Sequence, residues 1–128
     1  MIIDVHTHCI QPEHIADASQ RAMEQAGYPP MQPLSPETYA RAMEVVDRSI
    51  VFGARAQSTG LMSPNDFTSE WVKTEPNKYV GFMAIDPTES GYLEEIERCS
   101  EDLGLRGIKI YPTLAAFDPT GIAAYAMY

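Results

Sequence analysis

The chain has 128 residues, 45% of them hydrophobic, and its 18 acidic and 9 basic side chains give a formal net charge of -9. This length suits one ordinary domain over residues 1–128, and the charge argues against nucleic acid or an anionic membrane as a partner. No signal-peptide pattern and no bilayer-length apolar run occur, so we expect a cytoplasmic protein. With only two cysteines, Cys9 and Cys99, we expect reduced thiols rather than disulfides.

The first eight residues predict a short strand that ends in two imidazoles. Residues two apart on a strand point to the same face, so His6 and His8 should project together, with Asp4 beside them. Two neutral imidazoles at a strand end are ligands for a divalent metal, and we expect zinc, with manganese as the alternative. Cys9 alternates to the other face, which favours a buried thiol over a third ligand.

A long connecting segment, called the excursion below, follows from Cys9 to about Leu34. Pro12 is placed to open a helix and Gly27 to close it. Because the excursion comes directly after the histidine pair, it is a candidate lid or wall of an active site. We interpret His14, near the helix start, as an exposed helix-terminus histidine rather than a catalytic one.

The rest of the chain alternates predicted helices and strands. Ser35 and Ser63, each followed by proline, are helix-start signals. Apolar runs over 49–52, 79–85 and 107–111 predict three more strands, and a helix is predicted over 90–103. Its inward residues are expected to be Leu93, Ile96, Cys99 and Leu103. This order predicts an α/β fold with a parallel sheet and right-handed crossovers, and chemistry at the carboxyl ends of its strands.

Four segments together resemble a known family. They are Asp4-Val5-His6-Thr7-His8, Val51-Phe52-Gly53, Ile85-Asp86-Pro87 and Gly107-Ile108-Lys109-Ile110-Tyr111-Pro112. In order along nearly the whole chain, they look like the amidohydrolase superfamily, and most closely its amidohydrolase-related group (amidohydrolase family 2). That group comprises metal-dependent hydrolases and decarboxylases of small carboxylated or aromatic substrates. The resemblance implies the N-terminal half of a TIM-like (β/α)8 barrel, about four strands, with a metal at its mouth held by His6 and His8.

The resemblance also bears on the fourth strand. Ile108 and Ile110 are expected to face the helices, which turns Lys109 into the barrel mouth. Dinuclear members of the superfamily use a carboxylated lysine on this strand to bridge two metals. The alternative is a lysine that orients substrate or pairs with a buried carboxylate, and both interpretations stay open. Tyr111, like Asp4, is a candidate for a place near substrate or metal.

The family's later metal ligands and its general base have no match in this chain. We therefore expect these 128 residues to be the N-terminal part of a longer protein, with the catalytic base in the other half. For the intact protein we expect a metal-dependent hydrolase, in which metal-activated water attacks a small ester, amide or lactone. One alternative is a metal-dependent decarboxylase of the same group. The other is a non-catalytic half-barrel module, which could associate into a homo-oligomer through its open sheet edges.

Two other metal-hydrolase families also begin with an aspartate followed by two alternate histidines. The PHP phosphoesterases usually continue with serine and further acidic ligands, which Cys9 and the residues after it do not supply. TatD-type nucleases have a glutamate at the end of the third strand, where this chain has Asp86. The negative charge also disfavours a DNA substrate.

Overall fold

The structure, a computed structural model, describes all residues from Met1 to Tyr128. Its strands are β1 (Ile3–His8), β2 (Arg48–Phe52), β3 (Arg55–Ala56), β4 (Leu61–Met62), β5 (Tyr79–Gly81), β6 (Met83–Ala84) and β7 (Ile108–Lys109). Its α-helices are α1 (Asp17–Gln25), α2 (Pro36–Ala42), α3 (Asn65–Lys73), α4 (Tyr92–Glu101), α5 (Pro112–Ala115) and α6 (Ile122–Tyr125), and short 3-10 helices lie at Pro12–His14 and Gln57–Thr59. None of these helices has the length and apolar character needed to cross a membrane.

Four parallel strands lie side by side, as predicted. Parallel pairing joins β1 to β2, β2 to β5, and β6 to β7. The predicted third strand is split into β5 and β6 at Phe82, whose N–H donates to Val51 O while the N–H of Met83 donates to Gly107 O. This run therefore pairs first with β2 and then with β7. A Cβ on Gly107 would lie 2.5 Å from ring carbons of Phe82, so glycine permits the close approach.

Strand β1 contains a β-bulge that the sequence does not reveal. Asp4 pairs with Ser49 and Thr7 with Val51, so β1 has one residue more than β2 between these pairs. Paired residues of parallel strands share a face, so Asp4 shares the helix-facing side with Ser49. The prediction that Asp4 lies on the face of the two histidines is therefore wrong, because the extra residue shifts the alternation by one.

The helix-facing side of the sheet, here called the outer face, packs against α2 and α3. The core buried there comprises Cys9, Tyr39, Met43, Val51, Trp71 and Tyr79. The Tyr39 ring meets those of Trp71 and Tyr79 edge to face, at 5.5 and 5.3 Å between centroids. Helix α2 begins as predicted, because the hydroxyl of Ser35 accepts the N–H of Thr38 at 3.2 Å.

The second predicted helix start is wrong in its detail. Helix α3 begins at Asn65, and the hydroxyl of Ser63 accepts the N–H of Ala54 at 3.0 Å instead of capping the helix. The reason is the antiparallel hairpin of β3 and β4, which was not predicted and which this contact helps to close. The Asn65 amide binds both the N–H and the C=O of Ala84, at 2.8 and 3.2 Å, and so joins α3 to β6.

A second core lies between α4 and the ladder of β6 and β7. Its buried members are Met83, Ile85, Cys99 and Leu105, and the partly buried Tyr92, Ile96, Leu103, Ile108 and Met127 pack against them. Leu93 is 44% exposed, so its predicted inward position is wrong. Tyr92, four residues before Ile96, occupies the inward position in the first turn of α4 instead.

The excursion after β1 also differs from the single long helix predicted for it. A 3-10 helix over Pro12–His14 precedes α1, none of whose residues is buried. Between the two helices, Ile15 forms a bridge with Leu61, and the N–H of Ala16 donates to Gly60 O at 2.9 Å. The excursion is therefore attached to the β3–β4 hairpin through its backbone rather than through an apolar helix face.

Candidate metal centre

The two histidines of β1 converge at the carboxyl end of the sheet. His6 Nε2 and His8 Nε2 lie 3.2 Å apart, with 5.1 Å between the ring centroids. His6 is exposed and His8 is partly buried. Both rings form T-shaped contacts with the buried Phe52 ring at the end of β2. The predicted convergence of the two imidazoles is confirmed, on the side of the sheet called the inner face below.

The arrangement fits a shared cation. Nitrogen ligands lie about 2.0–2.1 Å from zinc, so two of them at near-tetrahedral angles are about 3.0–3.4 Å apart, which includes the separation seen between the two Nε2 atoms. The pKa of His8 is lowered to about 4, mainly by burial and to a smaller extent by the charges of His6 and Lys109. His8 is thus neutral at physiological pH, as a metal ligand must be.

The pair does not constitute a complete ligand set. No group of three or more His, Cys, Asp or Glu side chains in the chain is arranged to hold a metal ion. The thiol of Cys9 lies on the other side, fully buried and 3.5 Å from the hydroxyl of Thr68, which confirms its predicted orientation. Burial raises the pKa of this thiol to about 11, so it is not a thiolate at neutral pH.

Lys109 lies beside the pair, on the inner face, as predicted. Its Nζ is 4.9 Å from the centroid of the Phe52 ring and 4.8 Å from that of Tyr111, which is the geometry of a cation–π contact with both. The structure contains five ion pairs, and Lys109 takes part in none. Within these 128 residues no carboxylate pairs with Lys109, so both interpretations of this lysine stay predictions.

Tyr111 brings a hydroxyl to the far side of the His8 ring. The hydroxyl oxygen is 3.4 Å from His8 Nδ1, and it donates to the carbonyl oxygen of Gly53 at 3.2 Å. The two rings are stacked, with 6.4 Å between centroids and 30° between planes. Burial raises the pKa of Tyr111 well above its usual range, so the phenol keeps its proton. Candidate residues from the first and fourth strands are thus in contact.

Asp4 contributes to the site through the backbone. Its Oδ1 accepts the N–H of His6 at 3.0 Å, and no hydrogen bond joins it to either imidazole ring. Burial raises the pKa of Tyr39, on α2, and the charge of Asp4 adds to the rise, as expected for a carboxylate on the outer face.

The third histidine is buried, and the prediction that it is exposed is wrong. His14 is 7% exposed, its Nδ1 accepts the N–H of Gln11 at 3.1 Å, and its ring meets Phe67 edge to face. The local contact with Gln11 and the distant contact with Phe67 together bury the imidazole. His14 therefore shares no contact with the histidine pair.

The sequence also did not single out a polar cleft beside α4. A bidentate ion pair joins Arg55 to Glu89, and the buried carboxylate of Asp86 accepts the N–H groups of Gln57 and Thr88. A cleft of about 180 Å³ lies against these side chains and does not reach the histidines. Arg55 and Glu89, like Gln57 and Asp86, are about thirty residues apart in sequence, so no local pattern predicts their contact. Their hydrogen bonds join the β3–β4 region to the end of β6.

A family profile described as amidohydrolase matches residues 3–128. No curated protein sequence matches the chain.

Solved structures show the same fold at low sequence identity. The chain is similar to manganese-bound 5-carboxyvanillate decarboxylase from Novosphingobium aromaticivorans (15% identity, TM-score 0.72, 99% of this chain and 46% of that one). It is similar to an uncharacterised TIM-barrel protein from Bordetella bronchiseptica (19% identity, TM-score 0.69, 99% of this chain and 50% of that one). It is also similar to a probable 2-pyrone-4,6-dicarboxylic acid hydrolase from Acinetobacter baumannii (14% identity, TM-score 0.62, 98% of this chain and 43% of that one). The chain thus has the fold of a partial TIM barrel and spans about half the length of these structures.

Proposed function

The chain belongs to the amidohydrolase family, and we propose that the protein carrying it is a metal-dependent hydrolase acting on a small ester, amide or lactone. The observation behind the proposal is the 3.2 Å approach of His6 Nε2 to His8 Nε2 at the carboxyl end of the sheet. Catalytic groups of parallel α/β barrels gather at this end. A neutral His8 and an exposed His6 suit a cation that is also open to substrate.

In this proposal the residues of the chain have separate tasks. His6 and His8 hold the divalent cation, and Asp4 holds the backbone of His6. When bound, the cation polarises the substrate carbonyl and activates water near neutral pH. Lys109 orients the substrate, and Phe52 packs against both the His8 ring and the Lys109 ammonium. No third His, Cys, Asp or Glu side chain joins the pair in a metal-binding group, so the proposal takes the remaining ligands and the general base from outside these 128 residues.

For the metal itself, both zinc and manganese are candidates. Zinc suits two imidazoles at this separation, and the decarboxylase from Novosphingobium aromaticivorans is a structure with bound manganese. Loading the protein with each metal separately, followed by activity assays on both forms, distinguishes the two.

A second candidate function is metal-dependent decarboxylation of an aromatic acid. It is favoured by the likeness to 5-carboxyvanillate decarboxylase and by the ammonium of Lys109, which has no carboxylate partner in the chain. The two reactions release different products. A panel of esters, lactones and hydroxylated benzoic acids, assayed for acid release and for carbon dioxide, decides between them.

The metal site is tested with the double variant His6→Ala with His8→Ala. We expect metal content after dialysis to fall to background in this variant, because both imidazoles are lost. The control is His14→Gln, which removes the third imidazole, one that contacts Gln11 and Phe67 instead. Metal content that is unchanged in the double variant would refute the proposal.

A further inference from the structure

His8 and Tyr111 form a short hydrogen-bonded chain that ends on a backbone carbonyl. The phenolic oxygen lies 3.4 Å from His8 Nδ1 and 3.2 Å from the carbonyl oxygen of Gly53. Gly53 is buried, and no other donor in the structure reaches this carbonyl oxygen. Leaving a buried carbonyl without a hydrogen-bond donor destabilises the fold by about 1–3 kcal/mol. The Tyr111 hydroxyl is therefore expected to donate to the Gly53 carbonyl, which sets the donor and acceptor roles along these hydrogen bonds.

A phenol has one proton to donate. If Tyr111 gives it to the Gly53 carbonyl, the phenolic oxygen is an acceptor toward the imidazole, and His8 Nδ1 must carry a hydrogen. A neutral imidazole has only one N–H, so His8 Nε2 then has a free lone pair. This nitrogen is the one that faces His6 Nε2 at 3.2 Å. In the metal-free chain His6 therefore supplies the proton between the two rings, and the two histidines have different tautomers.

We propose that Tyr111 is a positioning residue, which together with the Gly53 carbonyl fixes His8 in the Nδ1–H tautomer and leaves Nε2 free for a cation. The metal-binding part of this inference rests on the proposed function, whereas the hydrogen on His8 Nδ1 follows from the contacts alone. Histidine ligands of metals are generally oriented by a hydrogen bond from their other ring nitrogen. Here the partner comes from the strand region after β7, which links the fourth strand to the ligand on the first.

The matched variants are Tyr111→Phe and Tyr39→Phe. Each removes one phenolic hydroxyl and keeps the ring, but the hydroxyl of Tyr39 lies on the outer face and contacts Thr7 and Ser49. Nitrogen-15 NMR of histidine-labelled protein reports the tautomer, and the His8 signals are identified by their absence from a His8→Asn variant. Affinity is measured by titration with zinc and, separately, with manganese.

In the wild type and in Tyr39→Phe we expect His8 to show a protonated Nδ1 and an unprotonated Nε2. In Tyr111→Phe we expect shifts that move toward the average of the two tautomers, and an affinity about 10–100-fold weaker. A Tyr111→Phe variant whose His8 nitrogen shifts match the wild type would overturn the inference even if metal still binds. An intact wild-type protein, carrying the ligands expected from outside these 128 residues, that shows the expected tautomer but binds neither metal would overturn the proposed function and leave the tautomer assignment standing.

Discussion

Strands β1 and β2 have hydrogen-bonded hydroxyls on one face and an exposed histidine pair on the other, although the outer core also buries two polar atoms without a partner, Trp71 Nε1 and Tyr79 Oη. On the outer face, the hydroxyl of Thr7 is hydrogen-bonded to those of Ser49 and Tyr39, and all three residues are buried. On the inner face, the facing nitrogens of His6 and His8 have only each other as partners. Polar groups whose bonding capacity is filled within the chain stabilise the fold, whereas groups left open at an exposed strand end are available to a ligand.

The largest effect on stability is expected on the outer face. Trp71 is 3% exposed and packs in the core with Tyr39 and Val51. Trp71→Ala should lower the free energy of unfolding by about 3–5 kcal/mol, because it removes a large buried ring and leaves a cavity. Urea unfolding monitored by circular dichroism measures the loss. A loss below about 1 kcal/mol would break the distinction between the two faces.

The hydroxyl network gives the next largest effect. Thr7→Val keeps the shape of the side chain and removes a buried hydroxyl that Ser49 and Tyr39 both contact. We expect a loss of about 1–3 kcal/mol, since the partner hydroxyls lose a hydrogen bond that water cannot replace. The matched control is Thr113→Val, an exposed position, which should change the free energy of unfolding by less than about 0.5 kcal/mol. Equal effects at the two threonines would count against the network.

Surface charges should contribute less, and in a pH-dependent way. Arg98 binds Asp66 at 2.7 Å and Glu95 at 2.8 Å, and these hydrogen bonds lower the pKa of both carboxyls. Because the folded-state values are lowered, the stabilisation is present above the ordinary carboxyl range and is lost as the pH falls through the lowered values.

The pairs around Arg98 are partly exposed, so Asp66→Asn should cost less than about 1 kcal/mol at neutral pH. The difference in unfolding free energy between wild type and variant should shrink at about pH 3 and in about 1 M salt. A difference that is the same at both pH values would show that the ion pair does not contribute.

The smallest effect on stability is expected at the histidine pair itself. His6 is exposed, so His6→Ala should change the free energy of unfolding by less than about 0.5 kcal/mol. The same substitution should still weaken metal binding, because one of two imidazole ligands is gone. Thermal unfolding and metal titration on the same samples measure both quantities. A large loss of stability in the metal-free variant would show that His6 serves the fold rather than a ligand.

Strand periodicity was enough to predict the histidine pair and the place of Lys109. Alternate residues of a strand share a face, and His6 and His8 lie within β1, whereas Lys109 is the last residue of β7. The same rule failed for Asp4, because a bulge depends on how β1 is aligned with β2, and that alignment is not visible within β1.

Contacts distant in sequence account for the other differences. Ser63 has the sequence of a helix cap but closes a hairpin, since Ala54 lies beside it only after β3 and β4 pair. The buried position of His14 depends on Phe67, more than fifty residues later along the chain. The partnership of Tyr111 with His8 likewise joins the fourth strand to the first. Local patterns predicted the order of the elements, and tertiary pairing decided which polar groups were filled.

The most direct test is a diffraction experiment on crystals of the protein loaded with zinc or manganese. Anomalous scattering should place one metal ion about 2.0–2.3 Å from both His6 Nε2 and His8 Nε2. An ion bound elsewhere, or a metal-loaded structure in which the two rings turn away from each other, would contradict the assignment of this pair as a metal centre.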